Sequence, residues 1–188
     1  WRGDEEMKIY SSKLSTNLAV MCWQMSNIPK PRNLVLSKWR KFHPDSFPQN
    51  CKSGAVYSMM TKVQVEARNK GYTDALLLDL DGYIAESTCA NIFFYNDDVI
   101  YTPNTTNILN GITRQTIIKM AKAKNIQLIE QDITIDDLDK FDGCFITGTA
   151  IEIVPISMID RNDKKIHFPN LSLANMFIKE YSNLVRKT

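Results

Sequence analysis

Three short stretches of this 188-residue chain set a reactive or hydrogen-bonding group beside residues small enough to leave room for something else. Lys52 precedes Ser53, Gly54 and Ala55 at the entrance to a helical pattern. A lysine held at such a junction, out of water, is a desolvated amine able to attack a carbonyl and form a Schiff base. Its plainer reading is a solvated surface charge. Gly111-Ile112-Thr113 opens a second helical pattern. The first amides of a helix have no internal acceptors and carry the positive end of its dipole, so they suit a phosphate, and the threonine hydroxyl adds a donor. Read alone, the same residues are a helix cap. Gly148-Thr149-Ala150, between two apolar runs, again joins a hydroxyl to small residues, and read alone is a bend.

Other chemistries are missing their signatures. The two histidines, His43 and His167, read as loop or surface residues, which argues against a histidine-based triad and against a multi-histidine metal site. The sequence holds no G-x-S-x-G, no Walker loop and no G-x-G-x-x-G after a strand.

The elements that must position these groups follow from periodicity. Leu18–Trp23 and Leu34–Phe42 read as strands, separated by the proline-bearing loop 27–32; Pro44 and Pro48 keep 43–50 irregular. Val56–Asn69 repeats apolar residues at helical spacing (Val56, Met60, Val63, Ala67) and meets Gly71 where a C-terminal cap belongs. Ala75–Asp79 is a strand, Asp81-Gly82 a hairpin turn, and Tyr83–Ala85, Ile92–Tyr95 and Val99–Tyr101 are short strands. Gly111–Lys124 is a helix with Ile117, Met120, Ala121 and Ala123 on its apolar face, and Ile126–Ile133 is a strand. Thr134 and Asp137 form a helix-start box. Strands at Cys144–Thr147 and Ile151–Ile156 precede a last helix, Leu173–Arg186, with Met176, Phe177, Tyr181 and Leu184 on one side. Strands clustered in hairpins with a few helices between them give an α+β class.

Composition narrows the partners. A net charge of +2, from 23 Lys+Arg against 21 Asp+Glu, makes no field that would draw nucleic acid or a membrane surface. No apolar run approaches the roughly 20 residues of a membrane span, and no signal peptide is visible. Cys22, Cys51, Cys89 and Cys144 form no C-x-x-C pair and read as reduced, mostly buried thiols of a cytoplasmic protein.

Taken together, the pieces fall into a known order. Glu86-Ser87-Thr88-Cys89-Ala90-Asn91-Ile92-Phe93, Ile100-Tyr101-Thr102-Pro103 and Leu109-Asn110-Gly111-Ile112-Thr113-Arg114 resemble the signature of class IV aminotransferases, the fold-type IV pyridoxal-phosphate enzymes. Ser37-Lys38-Trp39-Arg40, Pro44-Asp45-Ser46, the Lys52/Tyr57 pair, Glu66-Ala67-Arg68 and the run Thr147–Pro155 resemble the branched-chain amino acid group. The resemblance covers nearly the whole chain and is weakest in its last twenty or so residues. It implies an α+β large domain: a mixed or antiparallel, barrel-like sheet with flanking helices. It also implies pyridoxal 5'-phosphate as cofactor.

The resemblance further implies roles. Lys52 would hold the cofactor as a Schiff base and shuttle the proton; Glu86 would pair with the pyridine nitrogen and keep it protonated. Tyr57 would donate toward the phenolic oxygen and Leu109 would pack on the ring. The amides of Ile112 and Thr113, with Thr149, would hold the phosphate. Thr149 and Ala150 would face the substrate carboxylate. The rival readings are a solvated loop acid for Glu86 and a core aromatic for Tyr57. Asn91 reads as a structural turn residue and Arg114 as a helix-surface cation.

Family members carry a smaller N-terminal domain that supplies an arginine to the phosphate. Residues 1–14 resemble its end or the linker after it, and 15–188 the large cofactor-binding domain. The stretch after Trp23 departs from relatives, with Met25 where a second tryptophan is frequent and a short 28–33. The activity implied is transamination of Leu, Ile or Val with 2-oxoglutarate by a homodimer or higher homo-oligomer, for which the sequence itself gives no sign. D-amino acid aminotransferase and aminodeoxychorismate lyase are rivals within the fold, and a non-catalytic folded remnant is the rival outside it.

Overall fold

Which side of each strand is apolar decides how the layers stack. In the computed structural model, which describes residues 2–3, 15–16, 18–22 and 30–186, the strand Asn91–Asn96 (β6) is apolar on both faces. Ile92 and Phe94 point into one cluster with Leu34, Leu76, Ile146 and Ile156, while Phe93 and Tyr95 point the other way, against Ile117, Ala121, Phe145 and Phe177. A strand reads as a continuous hydrophobic run when both its faces are covered.

Two two-residue strands, β1 (Arg2–Gly3) and β2 (Ser15–Thr16), pair antiparallel. The main sheet has nine strands. These are β3 (Arg32–Arg40), β4 (Asp74–Leu78), β5 (Ile84–Ser87), β6, β7 (Val99–Thr102), β8 (Gln127–Glu130), β9 (Gly143–Gly148), β10 (Glu152–Asp160) and β11 (Lys165–His167). Following the pairs from β10 through β3, β4, β5, β6 and β9 leads back to β10, so the sheet closes into a barrel, with β7–β8 and β11 as extensions. β3 is parallel to both its neighbours, and β7 is parallel to β8; the other pairs are antiparallel. The expected mixed-sheet barrel with flanking helices is the architecture present.

Three helices cover the outside. α1 (Gly54–Asn69) starts at Ser53, whose side chain accepts from the Ala55 amide, and lays Met60, Val63 and Ala67 on Val35, Ala75 and Leu77. Gly71, at φ +85°, follows its C-cap as expected. α2 (Ile112–Ala123) buries Ile117 and Ala121, leaving Ala123 exposed, contrary to expectation, because the helix ends there and turns outward at Lys124. α3 (Ser172–Val185) buries Leu173, Ala174 and Phe177 in the same cluster, with Leu184 exposed. The box at Thr134 and Asp137 is present, with the Thr134 amide 2.8 Å from Asp137 Oδ2, but it opens a 3-10 helix, Ile135–Lys140.

Two strand expectations need correction. Residues 18–22 carry no regular structure, and Leu18 is 87 % exposed; an apolar run becomes a buried strand only if a partner edge receives it, and none among the described residues pairs with these. Trp23 and the departure at 23–29 lie outside the described residues, as do residues 4–14 of the expected linker. The strand expected over 126–133 stops at Glu130, where the Gln131 amide turns to the Thr102 carbonyl, and Ile133 then enters the barrel interior. The thiols are corrected too: Cys22, Cys51 and Cys89 are exposed and only Cys144 is buried, since the first three sit on irregular segments and only Cys144 falls within a barrel strand.

Candidate active site

One cavity of about 300 Å³ brings together seven of the eight residues singled out from sequence: Lys52, Tyr57, Glu86, Leu109, Ile112, Thr113 and Thr149. That volume is in the range of small-ligand sites. Ala150 does not line it; it follows Thr149 in the exposed turn between β9 and β10.

The floor comes from the hairpin of β5 and β6. Glu86 and Asn91 face each other across it, closed by the Ser87 amide on the Ala90 carbonyl at 2.9 Å. Glu86 is buried, which pushes its carboxyl above the usual carboxylate range, and the Lys41 ammonium opposes that shift from 2.5 Å. Lys41 follows β3, is itself buried, and its own amide bonds the Leu78 carbonyl. The other Glu86 oxygen accepts from Asn91 Nδ2 at 3.2 Å, and the same nitrogen donates to the Leu109 carbonyl at 2.8 Å. Asn91 is therefore a buried brace, not a turn residue. Its Oδ1 also lies where a Cβ on Gly111 would fall, 2.5 Å away, so glycine is required there for close approach.

That approach sets the start of α2 against the floor. Gly111 caps the helix without a side-chain bond, and the first intrahelical bond runs from the Gln115 amide to the Gly111 carbonyl. The amides of Ile112, Thr113 and Arg114 thus precede the bonded part of the helix and stay available to an anion. Ile112 is 78 % exposed, whereas Thr113 is buried.

Arg114 is not the surface cation it resembles in sequence. It is 1 % exposed because the returning segment 103–110 arches over it. Its guanidinium donates to the Pro103 carbonyl at 2.9 Å, Asn110 Oδ1 at 3.1 Å and Glu130 Oε2 at 2.5 Å. It fastens the loop carrying Leu109 to the helix that follows.

The opposite wall is α1 and the loop before it. Lys52 is exposed, so the expectation of a desolvated amine does not hold among the described residues; its Nζ stands 5.6 Å from the Tyr57 ring centroid. Tyr57 is exposed as well, which removes its reading as a core aromatic. Glu86 is buried, which removes the solvated-acid reading. His43 and His167 both stand away from the cavity.

Sequence reasoning missed Lys41, Asn91 as a brace, and Thr147. Asn91 and Thr147 carried a signal, as positions in the runs that resemble the family; Lys41 carried none.

The sequence profile described as "Amino-transferase class IV" matches residues 1–159. The chain belongs to the class IV aminotransferases. It is 45 % identical over 194 aligned residues to a "probable branched-chain-amino-acid aminotransferase" of Rickettsia felis, covering 100 % of this chain and 65 % of that protein. The branched-chain amino acid aminotransferase from Thermobaculum terrenum, in its PLP-form (holo-form), superposes at a TM-score of 0.77 and 28 % identity, over 84 % of this chain and 52 % of that one. The branched-chain aminotransferase of Thermoproteus uzoniensis with norvaline gives a TM-score of 0.78 and 32 % identity, over 83 % of this chain and 52 % of its own. The class IV chain described here thus spans about two thirds or less of the length of these relatives.

Proposed function

We propose that the protein carrying this chain transaminates the branched L-amino acids Leu, Ile and Val with 2-oxoglutarate, using pyridoxal 5'-phosphate. The supporting observation is that Lys52 and Glu86 line one cavity, with the unbonded amides at the start of α2 between the same walls. An amine, a buried carboxylate and an anion cup are the three groups needed by an aldehyde that also bears a basic ring nitrogen and a phosphate, so the residues fit the cofactor.

Bound there, the cofactor supplies the sink for electrons released at the substrate α-carbon. Lys52 would hold the cofactor through its Nζ, and would take and return the proton at the substrate α-carbon. Glu86, held by Lys41 and Asn91, would pair with the ring nitrogen and keep a proton on it. Tyr57 would donate toward the phenolic oxygen, and Leu109 would pack on the ring. The amides of Ile112 and Thr113, with Thr149, would hold the phosphate; Thr149 would also receive the substrate carboxylate, with Ala150 beside it in the turn outside the cavity lining. The exposure of Lys52, Tyr57 and Ile112 suits a wall completed by a further chain segment or a second subunit, and we extend the proposal to a homo-oligomer. No helix among the described residues is long and apolar enough to cross a membrane, and the free thiols suit a reducing compartment, which supports a cytoplasmic place of work.

The test is turnover by the complete encoded protein, with 2-oxoglutarate as acceptor. L-leucine is expected to react and D-alanine not to. Turnover of D-alanine alone would move the reading to the D-amino acid enzymes. No turnover of either, together with no borohydride-trapped adduct on Lys52, would leave a non-catalytic remnant.

A further inference from the structure

Thr147, in β9, has a hydroxyl with no bond of its own. The residue is 1 % exposed, and its Oγ1 is buried without a hydrogen-bond partner. A buried hydroxyl left unsatisfied is costly, so a native structure that keeps one calls for an explanation. Thr147 stands opposite Asn91 in the β6–β9 register. Side chains two residues apart share a strand face. Thr147 therefore shares the face of Phe145, which packs with α2 residues Ile117 and Ala121, and it lines the cavity at the start of that helix. Lining the same cavity are Ile112 and Thr113, where α2 begins, and Thr149, residues rich in donor groups.

We infer that the Thr147 hydroxyl is a further phosphate contact, donating to an anion that the start of α2 also holds. The inference rests on the cofactor reading above and adds to it a residue buried behind the cup. A hydroxyl donating to a dianion makes a charge-assisted bond, stronger than one between neutral groups. It explains why the fold keeps an orphan donor there.

The experiment compares the complete protein with Thr147→Val, which keeps the shape, and Thr147→Ser, which keeps the hydroxyl. In Thr147→Val the Kd for pyridoxal 5'-phosphate is expected to rise about tenfold or more, while the Kd for pyridoxal, which lacks the phosphate, stays unchanged. Thr147→Ser restores tight binding. Inorganic phosphate raises the melting temperature of the wild-type apoprotein more than that of Thr147→Val at the same concentration. The apoprotein of Thr147→Val itself melts roughly 2–4 °C higher, because the orphan hydroxyl is gone. An unchanged Kd for pyridoxal 5'-phosphate in Thr147→Val, with Lys52 still trapped by borohydride, overturns the inference and leaves the cofactor reading intact. Absence of any Lys52 adduct in wild type overturns the cofactor reading, and the phosphate melts then decide Thr147 separately.

Discussion

The two walls of the cavity are built in opposite ways. On the floor, Glu86 has a fixed partner at each carboxylate oxygen, and Asn91, Gly111 and Arg114 lock hairpin, loop and helix into one piece. On the α1 wall, Lys52 and Tyr57 are exposed, and their mutual cation–π approach is the one interaction the structure gives between them. Under the proposed function, the difference matches two kinds of work. A carboxylate that must stay charged beside a ring nitrogen gains from rigidity, since oxygens already in place cost nothing to reorient when needed. An amine that must first bond a carbon and then carry a proton gains from freedom.

The comparison is broken most directly at Lys52. Lys52→Ala is expected to abolish turnover of L-leucine while leaving the thermal midpoint within about 1 °C, since surface substitutions stay within roughly 0.5 kcal/mol. A large loss of stability would show that the amine is structural. The floor answers differently. Lys41→Met strands a buried carboxylate, and urea unfolding at pH 7 should show a loss of about 3 kcal/mol. The sign with pH follows from Glu86: its folded pKa is raised, so the stability it allows is present at low pH and lost as pH rises through that pKa. The deficit of Lys41→Met therefore narrows as pH is lowered; a constant deficit would mean that the lysine acts by packing alone.

Gly111→Ala sharpens the floor further. Its Cβ would meet Asn91 Oδ1 at 2.5 Å, so either Asn91 gives up its bond to Glu86 or the helix start backs away. A destabilisation of about 1–3 kcal/mol is expected, with weaker cofactor binding in an absorbance titration. The smallest effect belongs to a control away from both walls. Asp137→Ala removes the box at the 3-10 helix and should cost about 1 kcal/mol near neutral pH. Hydrogen bonds from Lys140 and Thr134 lower the Asp137 carboxyl to about 2, so wild type loses this advantage as pH falls from about 4 toward that value, and the two proteins converge.

The same division separates what the sequence discloses from what it hides. Helix α1 is legible because Met60, Val63 and Ala67 recur at helical spacing. The start of α2 is legible because glycine and threonine at a helix entrance have a local meaning. The box at Thr134 is legible for the same reason. Lys41 is not, since the partner that buries it lies 45 residues away and nothing near it differs from a surface lysine. Arg114 misleads for a like cause: its place on a helix is local, but the loop covering it is not. Leu18–Cys22 misleads in reverse, an apolar run to which the described residues offer no edge. Local rules find the candidate reactive groups, and long-range pairing supplies the groups that hold them.

The parallel seat of β3 beside β10 has a consequence for how the protein is made. β3 leaves the ribosome well before the neighbour on one of its sides, which pairs with it from Arg32 to Val35 and ends at Asp160. Until that late segment emerges, the nascent barrel stands open along one seam with its backbone groups unpaired. Closing it needs contacts distant in sequence, which form slowly.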